Sequence, residues 1–272
     1  MNRLKEFSSW SIGASSEHEV NFYVDGSCFK AGDGLNIAYI IEPEEVQYNG
    51  FYDDVINMKD KFKYILTDKE EILRACDNAV LFEYGTAWIQ TNPFPEKKYG
   101  VSSVIGFKTM AEGHRMRHEL WNRKEEIKLP QFFYASQHGG PALDSGHELV
   151  LNDDNRELIF QNQFQIVIEN KQTDYWFTEK LCDCFTTRVV PIYYGAKQIE
   201  RFFDTSGMFI ANSLDEIINI CNSIDENTYA KIQEAISINE AKVKKYHRLG
   251  DRLTDKLKEL LDENVCSNVI TK

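Results

Sequence analysis

The chain has 272 residues, of which 31 are basic and 43 acidic, for a formal net charge of −12 at neutral pH. That balance argues against wholesale binding to nucleic-acid phosphates or an anionic membrane, because the overall field repels both, so any anionic ligand needs a local basic site. The length suits two domains of moderate size, and 42% hydrophobic with 12% aromatic residues supplies a core and excludes a disordered chain.

Residues 1–10 carry basic groups, but Glu6 and the serines interrupt them before an apolar run of signal-peptide length develops. No stretch approaches the roughly 20 apolar residues that span a bilayer, so the expectation is a soluble, cytoplasmic protein. Residues 20–24, 36–41, 64–66 and 79–82 are rich in β-branched and aromatic side chains and end in polar or turn residues, which predicts four strands. Between the third and fourth, Thr67 followed by Glu70 reads as a capping box that starts a helix. Strands alternating with helices predict a parallel sheet.

Pro93 and Pro95 stiffen residues 91–98, which read as the connection between an N-terminal domain (1–95) and a second domain (96–248). The alternation then restarts. A strand is predicted at 101–105, a helix at 112–126, a strand at 131–135 and a long loop containing His138, Gly139, Gly140 and Pro141. A strand at 164–168, a helix at 178–187 and a strand at 189–194 follow, then a short strand at 208–211 and a helix at 214–224. Leu249, Leu253, Leu257, Leu260 and Leu261 predict an amphipathic helix within 249–272 that packs on the body of the protein. Cysteines at 28, 76, 182, 184, 221 and 266 have neither zinc-ribbon spacing nor disulfide density and read as reduced thiols.

The stretch from 164 to 195 is the richest in chemistry. Its first strand runs into Glu169 and Asn170, Thr178 is an N-cap candidate, and a right-handed crossover returns to a parallel strand. In open α/β sheets ligands sit at the carboxyl ends of strands, which points the loop 169–177 and the turn 178–181 at a site. A helix N-terminus suits phosphate, and Lys180 adds a full charge where a cation disfavours the helix itself, so it points to a ligand. Glu179 can accept hydrogen bonds from ribose hydroxyls, and Gly195 admits close approach of a ligand to the backbone. The alternative is that Glu179 and Lys180 form a solvated helix face.

The strings F-x-x-x-x-E-N from Phe164, T-E-K-L from Thr178 and V-P-I-Y-x-G from Val190, in this order and spacing over residues 164–203, resemble the donor-binding core of the α-1,3-fucosyltransferases of glycosyltransferase family 10. The resemblance implies an α/β fold of GT-B type, two Rossmann-like domains whose parallel sheets face a central cleft, with GDP-sugar on the C-terminal domain and acceptor on the N-terminal one. It implies inverting, metal-independent transfer, with Asn170, Glu179 and Lys180 on the nucleotide sugar, Glu179 at the ribose and Lys180 at the diphosphate. It also implies a phosphate-binding arginine on the first helix of the donor domain. Arg117 is the better match there and Arg115 the runner-up, on a segment whose two arginines and two histidines make a local basic patch. The alternative is an exposed helix whose arginines pair with Glu112 and Glu119.

One departure stands out. The family commonly places Tyr three residues before the Glu of T-E-K, where this chain has Trp176 with Tyr175 adjacent, and either aromatic can stack on a sugar or base. Inverting transfer needs a carboxylate to take the acceptor proton. Glu42, directly after the strand 36–41, resembles the family's base in position and is chosen over Glu44 and Glu45; an ordinary strand-end turn is the alternative. Residues 152–155 and the pair Asp53 and Asp54 read as polar turns, and His138 and His147 lack a third ligand, so neither a metal nor a cofactor beyond the donor is expected. The expected activity is transfer of L-fucose from GDP-fucose to a glycan hydroxyl. A UDP- or GDP-linked xylose or mannose is the alternative donor, and a non-catalytic glycan-binding relic the alternative class. The short N-terminal half implies a small, exposed acceptor site.

Overall fold

The computed structural model describes residues 11–12, 20–136, 150–151 and 156–261. The N-terminal residues 1–10, His138 and His147 with their loop, the turn 152–155, Cys266 and the end of the C-terminal tail lie outside the described residues. The chain forms two compact units. Unit 1 comprises the described residues up to Tyr84, the segment Asp174–Trp176 and those from Arg248 onward; unit 2 comprises Gly85–Thr173 and Phe177–His247.

Unit 1 is built on a five-stranded sheet ordered β1 (Ser11–Ile12), β2 (Val20–Val24), β3 (Leu35–Ile40), β4 (Tyr64–Thr67) and β5 (Ala79–Leu81). β1 runs antiparallel to β2, and the other pairings are parallel, which realises the four predicted strands. Helices α1 (Glu44–Gln47), α2 (Phe51–Asn57) and α3 (Glu70–Ala75) fill the connections. α3 begins later than the capping box at Thr67 predicts, at Glu70; the Thr67 hydroxyl instead donates to the Ile40 carbonyl (3.1 Å) and accepts from the Lys69 N–H (3.1 Å), which fixes the turn that leads into the helix. Both faces of the sheet are covered, one by Phe51, Val55 and Ile72 and the other by the leucines at 249, 253 and 257. Burial on both faces is what a parallel sheet requires.

Unit 2 holds six strands, β6 (Lys98–Ile105), β7 (Gln131–Ser136), β8 (Val150–Leu151), β9 (Asn162–Ile168), β10 (Val190–Tyr194) and β11 (Phe209–Ile210). All pairings are parallel, in the order β11-β10-β9-β6-β7-β8. Helices α4 (Glu112–Asn122), α5 (Glu179–Thr186), α6 (Leu214–Ser223), α7 (Thr228–Lys231) and α8 (Gln233–Val243) connect or flank them, and α9 (Leu249–Leu261) returns to unit 1. From β6 the chain winds outward to β7 and β8, then crosses back and winds the other way through β9, β10 and β11. Strand order therefore reverses between β6 and β9, the place where open α/β sheets take ligands. The described cysteines are all buried free thiols. No described helix is long and apolar enough to cross a membrane.

Candidate functional site

The β6–β9 switch point is organised by a carboxylate. β9 ends at Ile168, and Glu169, next in the chain, is fully buried; its oxygens accept the Thr178 N–H (2.8 Å) and the Thr178 hydroxyl (2.9 and 3.1 Å). Thr178 is the N-cap of α5, as its sequence context predicts, with Oγ1 accepting from the Lys180 N–H at 3.3 Å. Glu169 thus ties the end of one strand to the start of the helix that follows it. The Lys180 ammonium lies 3.1 Å from Glu179, 3.1 Å from the Thr178 hydroxyl and 3.7 Å from Glu169, on a side chain still 30% exposed. Burial raises the Glu169 carboxyl above its ordinary range against the pull of Lys180. For Lys180, burial acts downward, but Glu179 and Glu169 outweigh it and leave the ammonium raised.

The second cation comes from α4, which follows β6. Arg117 donates to the Ile168 carbonyl and, at 2.7 Å, to Asn170 Oδ1, so its guanidinium spans the end of β9. Burial brings Arg117 down to about 10, with Glu169 and Glu179 opposing. α4 sits this close because its second residue is glycine. The Gly113 N–H donates to the Asn170 carbonyl (2.9 Å), and a Cβ at 113 would lie 1.7 Å from the Glu169 carbonyl oxygen. His114, buried on the same turn, accepts the Ala111 N–H (3.1 Å) and is driven down to about 4 by burial and then by Arg117, Lys108 and Lys180. His114 is therefore neutral at pH 7, and the charge of the patch belongs to Arg117 and Lys180.

Arg117, Asn170, Glu179, Lys180 and Gly195 stand at or just beyond the carboxyl ends of β9 and β10 in unit 2. Arg115 is exposed and folds back on the carbonyls of Thr109 (3.2 Å) and Met110 (2.8 Å). Gly195 has an internal reason to be glycine: a Cβ there would lie 2.2 Å from the Tyr193 hydroxyl oxygen and 2.7 Å from Glu169 Cγ, so packing around Glu169, before any ligand, excludes a side chain. Tyr175 and Trp176 belong to unit 1. The Asp174 N–H donates to Glu70 (3.1 Å), and Trp176 is 1% exposed with the Lys69 ammonium 4.9 Å from its ring centroid. That cation–π contact accounts for a tryptophan at 176 without a ligand.

In unit 1, Glu42 is half-buried just beyond β3. Its N–H donates to Asp25 Oδ1 (3.2 Å), and its carbonyl accepts the Tyr52 hydroxyl (3.1 Å). Glu44, the competing carboxylate, is engaged at the start of α2, where it accepts the N–H groups of Gly50 (2.8 Å) and Tyr52 (3.3 Å). Of the acidic pair at 53 and 54, Asp54 accepts the Tyr48 hydroxyl at 2.6 Å. Sequence reasoning missed Gly113 and the central role of Glu169. Both left a signal: a glycine inside a helix costs about 1 kcal/mol relative to alanine and so needs a packing reason, and a carboxylate closing an apolar strand needs a buried partner.

No protein-family profile matches the chain, and no curated protein matches it in sequence. Solved structures do match it in fold. An α1,3-fucosyltransferase with GDP is 13% identical, with 94% of this chain and 80% of that one covered and a TM-score of 0.56. Alr3699/HepE of Anabaena with UDP-glucose is 9% identical over 85% of this chain and 72% of that one, with a TM-score of 0.63. TarM is 11% identical over 89% of this chain and 54% of that one, with a TM-score of 0.58. The fold is GT-B. Within this GT-B chain, Arg117 and Lys180 stand on the helices that follow the two strands of the unit 2 switch point.

Proposed function

We propose that the chain is an inverting glycosyltransferase that transfers L-fucose from GDP-fucose to a glycan hydroxyl without a metal. One observation carries the reading: in a protein of net charge −12, a guanidinium and an ammonium stand at the carboxyl end of β9 and the capped N-terminus of α5 that follows it. Two fixed cations beside the positive end of a helix suit the diphosphate of a nucleotide sugar and stabilise the charge that builds on it as the glycosidic bond breaks. Arg117 and Lys180 take the diphosphate, and Glu179 accepts from the ribose hydroxyls. Glu42 takes the acceptor proton as the hydroxyl attacks the anomeric carbon from the face opposite the diphosphate. The fucosyl donor rests on the three linked strings between 164 and 195. A UDP-linked donor is the second reading, supported by the UDP-glucose complex among the fold relatives.

A thermal-shift screen of GDP, UDP, CMP and their sugars tests this directly, since a ligand that binds only the native state at 100 times its Kd adds about 2.7 kcal/mol of stability. GDP and GDP-fucose are expected to raise the melting temperature. Stabilisation by UDP alone selects the second reading, and none by any nucleotide overturns both. Lys180→Ala should weaken donor binding by about 10- to 100-fold, the worth of a charge-assisted contact. Glu42→Gln should spare donor binding and lower transfer by about 10²- to 10⁴-fold. A binding relic would lack the transfer that Glu42→Gln removes, and EDTA should leave transfer unchanged.

A further inference from the structure

In unit 1, β2 and β3 end side by side, with Val24 opposite Tyr39. The chain leaves β2 at Asp25, which holds a φ of 45°, in the left-handed region that short polar side chains tolerate best. Asp25 is buried, and its carboxylate reaches across to the exit of the next strand. Oδ1 accepts the N–H of Ile41 at 2.7 Å and of Glu42 at 3.2 Å. The Tyr52 hydroxyl, from α2, holds the Glu42 carbonyl at 3.1 Å. The direction in which Glu42 leaves β3 is thus set by two groups, and one of them is a buried carboxyl. A non-glycine residue at positive φ persists only where its surroundings over-determine it, a condition that clusters at functional sites.

We propose that Asp25 is the positioning residue of Glu42: it orients the Glu42 backbone through paired N–H bonds, and its negative charge makes the Glu42 carboxylate a stronger base. The inference rests on the reading of Glu42 as the base. The groups that face Asp25 are Glu42 beyond β3, Lys69 beyond β4, Tyr39 on β3, Tyr52 on α2 and Cys28 in the turn that Asp25 itself opens. Burial brings Asp25 up to about 7, against the Ile41 and Glu42 N–H bonds and the charge of Lys69, with the Glu42 carboxylate adding to the rise. Lys69 is shared with Asp68, 2.6 Å away, so it compensates Asp25 only in part. Asp25 therefore gains its charge as pH rises through neutrality, and the basicity of Glu42 rises with it.

The test is donor turnover against pH for the wild type, Asp25→Asn and Glu42→Gln, with melting temperatures measured in parallel. GDP-fucose is the probe, or UDP-glucose where only UDP stabilises the protein, and transfer to water suffices as the reaction. Asparagine keeps an acceptor for both N–H groups and tolerates the left-handed φ, so the melting temperature near pH 6 should hold. Turnover of the wild type should rise through about pH 7, whereas Asp25→Asn should lack that rise, with kcat about 3- to 10-fold lower near pH 8 and KM for the donor unchanged. A variant with wild-type kcat and pH profile, or with a loss equal at every pH, overturns the proposal while an inactive Glu42→Gln leaves the base in place. Wild-type turnover by Glu42→Gln overturns the reading of Glu42 itself. If Asp25→Asn does not fold, a wild-type kcat that is flat across about pH 6 to 8 overturns the proposal.

Discussion

The two sheets share a parallel architecture and differ in the charge they place beyond their strands. In unit 1 the residues that follow β2, β3 and β4 include Asp25, Glu42 and Asp68, and Glu83 stands two residues after β5. The cations nearby are engaged internally, Lys69 with Asp68 at 2.6 Å and Arg252 with Glu83 at 3.2 Å. In unit 2 the arrangement is inverted: one buried acid, Glu169, is the hub, and Arg117 and Lys180 stand around it. The sheets differ in strand order, sequential in unit 1 and reversing between β6 and β9 in unit 2, but the charge contrast is carried by a handful of side chains one or two positions past a strand end or on the first turns of the next helix. A net charge of −12 is therefore a poor guide to either site, because the acidic excess is an average over a surface and these positions are local.

The harshest way to break the contrast is to separate α4 from β9. Gly113→Ala sets a methyl group 1.7 Å from the Glu169 carbonyl oxygen, which is backbone and cannot swing aside. Either the helix shifts, taking Arg117 off the Ile168 carbonyl, or the strand end does. The expected cost is about 3 kcal/mol or more, at the upper end of overpacking effects, with a large drop in melting temperature and in donor binding. A variant that melts like the wild type would show that this junction yields more easily than its geometry implies. A gentler change sharpens the contrast. Arg117→Lys keeps the charge but loses the fork that joins Ile168 and Asn170, and should weaken nucleotide binding about tenfold by calorimetry with little change in melting temperature. In a double-mutant cycle with Asn170→Ala the losses should fall short of additive, because the two side chains share a hydrogen bond.

Much of this was legible in the sequence where local and global signals agree. Strands β2, β3, β9 and β10 are mainly apolar runs followed by polar or turn residues, and Thr178 caps α5 as its position before Glu179 predicts. What escaped was decided by partners distant in the chain. Nothing local says that the Thr67 hydroxyl donates to the carbonyl of Ile40, 27 residues earlier, or that α3 starts only at Glu70. The sequence marks Gly195 as a place where a ligand can approach the backbone, whereas the space a side chain would need is taken by Tyr193 and Glu169, partners that only the fold reveals. Trp176 stands out in the sequence as an aromatic in a loop rich in chemistry; that its ring lies against Lys69, in the other unit from Asn170, depends on where the chain runs after Thr173. Asp25 carried no motif at all, since its importance comes from two N–H groups 16 and 17 residues away.

The finest comparison sets Asp25 against Asp183, one buried acid in each unit, each holding two backbone N–H groups. Asp183 accepts those of Trp88 (2.7 Å) and Ile89 (3.0 Å), and burial brings it up to about 8 despite them. A carboxyl raised in the fold binds its proton more tightly there than in the unfolded chain, so its contribution to stability is complete below about pH 4 and is lost as pH climbs through the folded value. For Asp25 that loss ends near pH 7, and for Asp183 near pH 8. His114, brought down to about 4, acts with the opposite sign, adding stability as pH rises from about 4 to 6.5 and nothing beyond. The two aspartates are thus uncompensated by His114 between about pH 6.5 and 8, and the wild-type melting temperature should fall there by about 2–6 °C. Asp183→Asn keeps an acceptor for both N–H groups while removing the proton, so it should flatten most of that fall and leave the turnover profile through pH 7 intact. Asp25→Asn should do the reverse, with a smaller gain in stability and loss of the turnover rise. A single variant that erased both effects would mean that the two acids titrate as one system, and the separation between a structural acid in unit 2 and a positioning acid in unit 1 would then have to be given up.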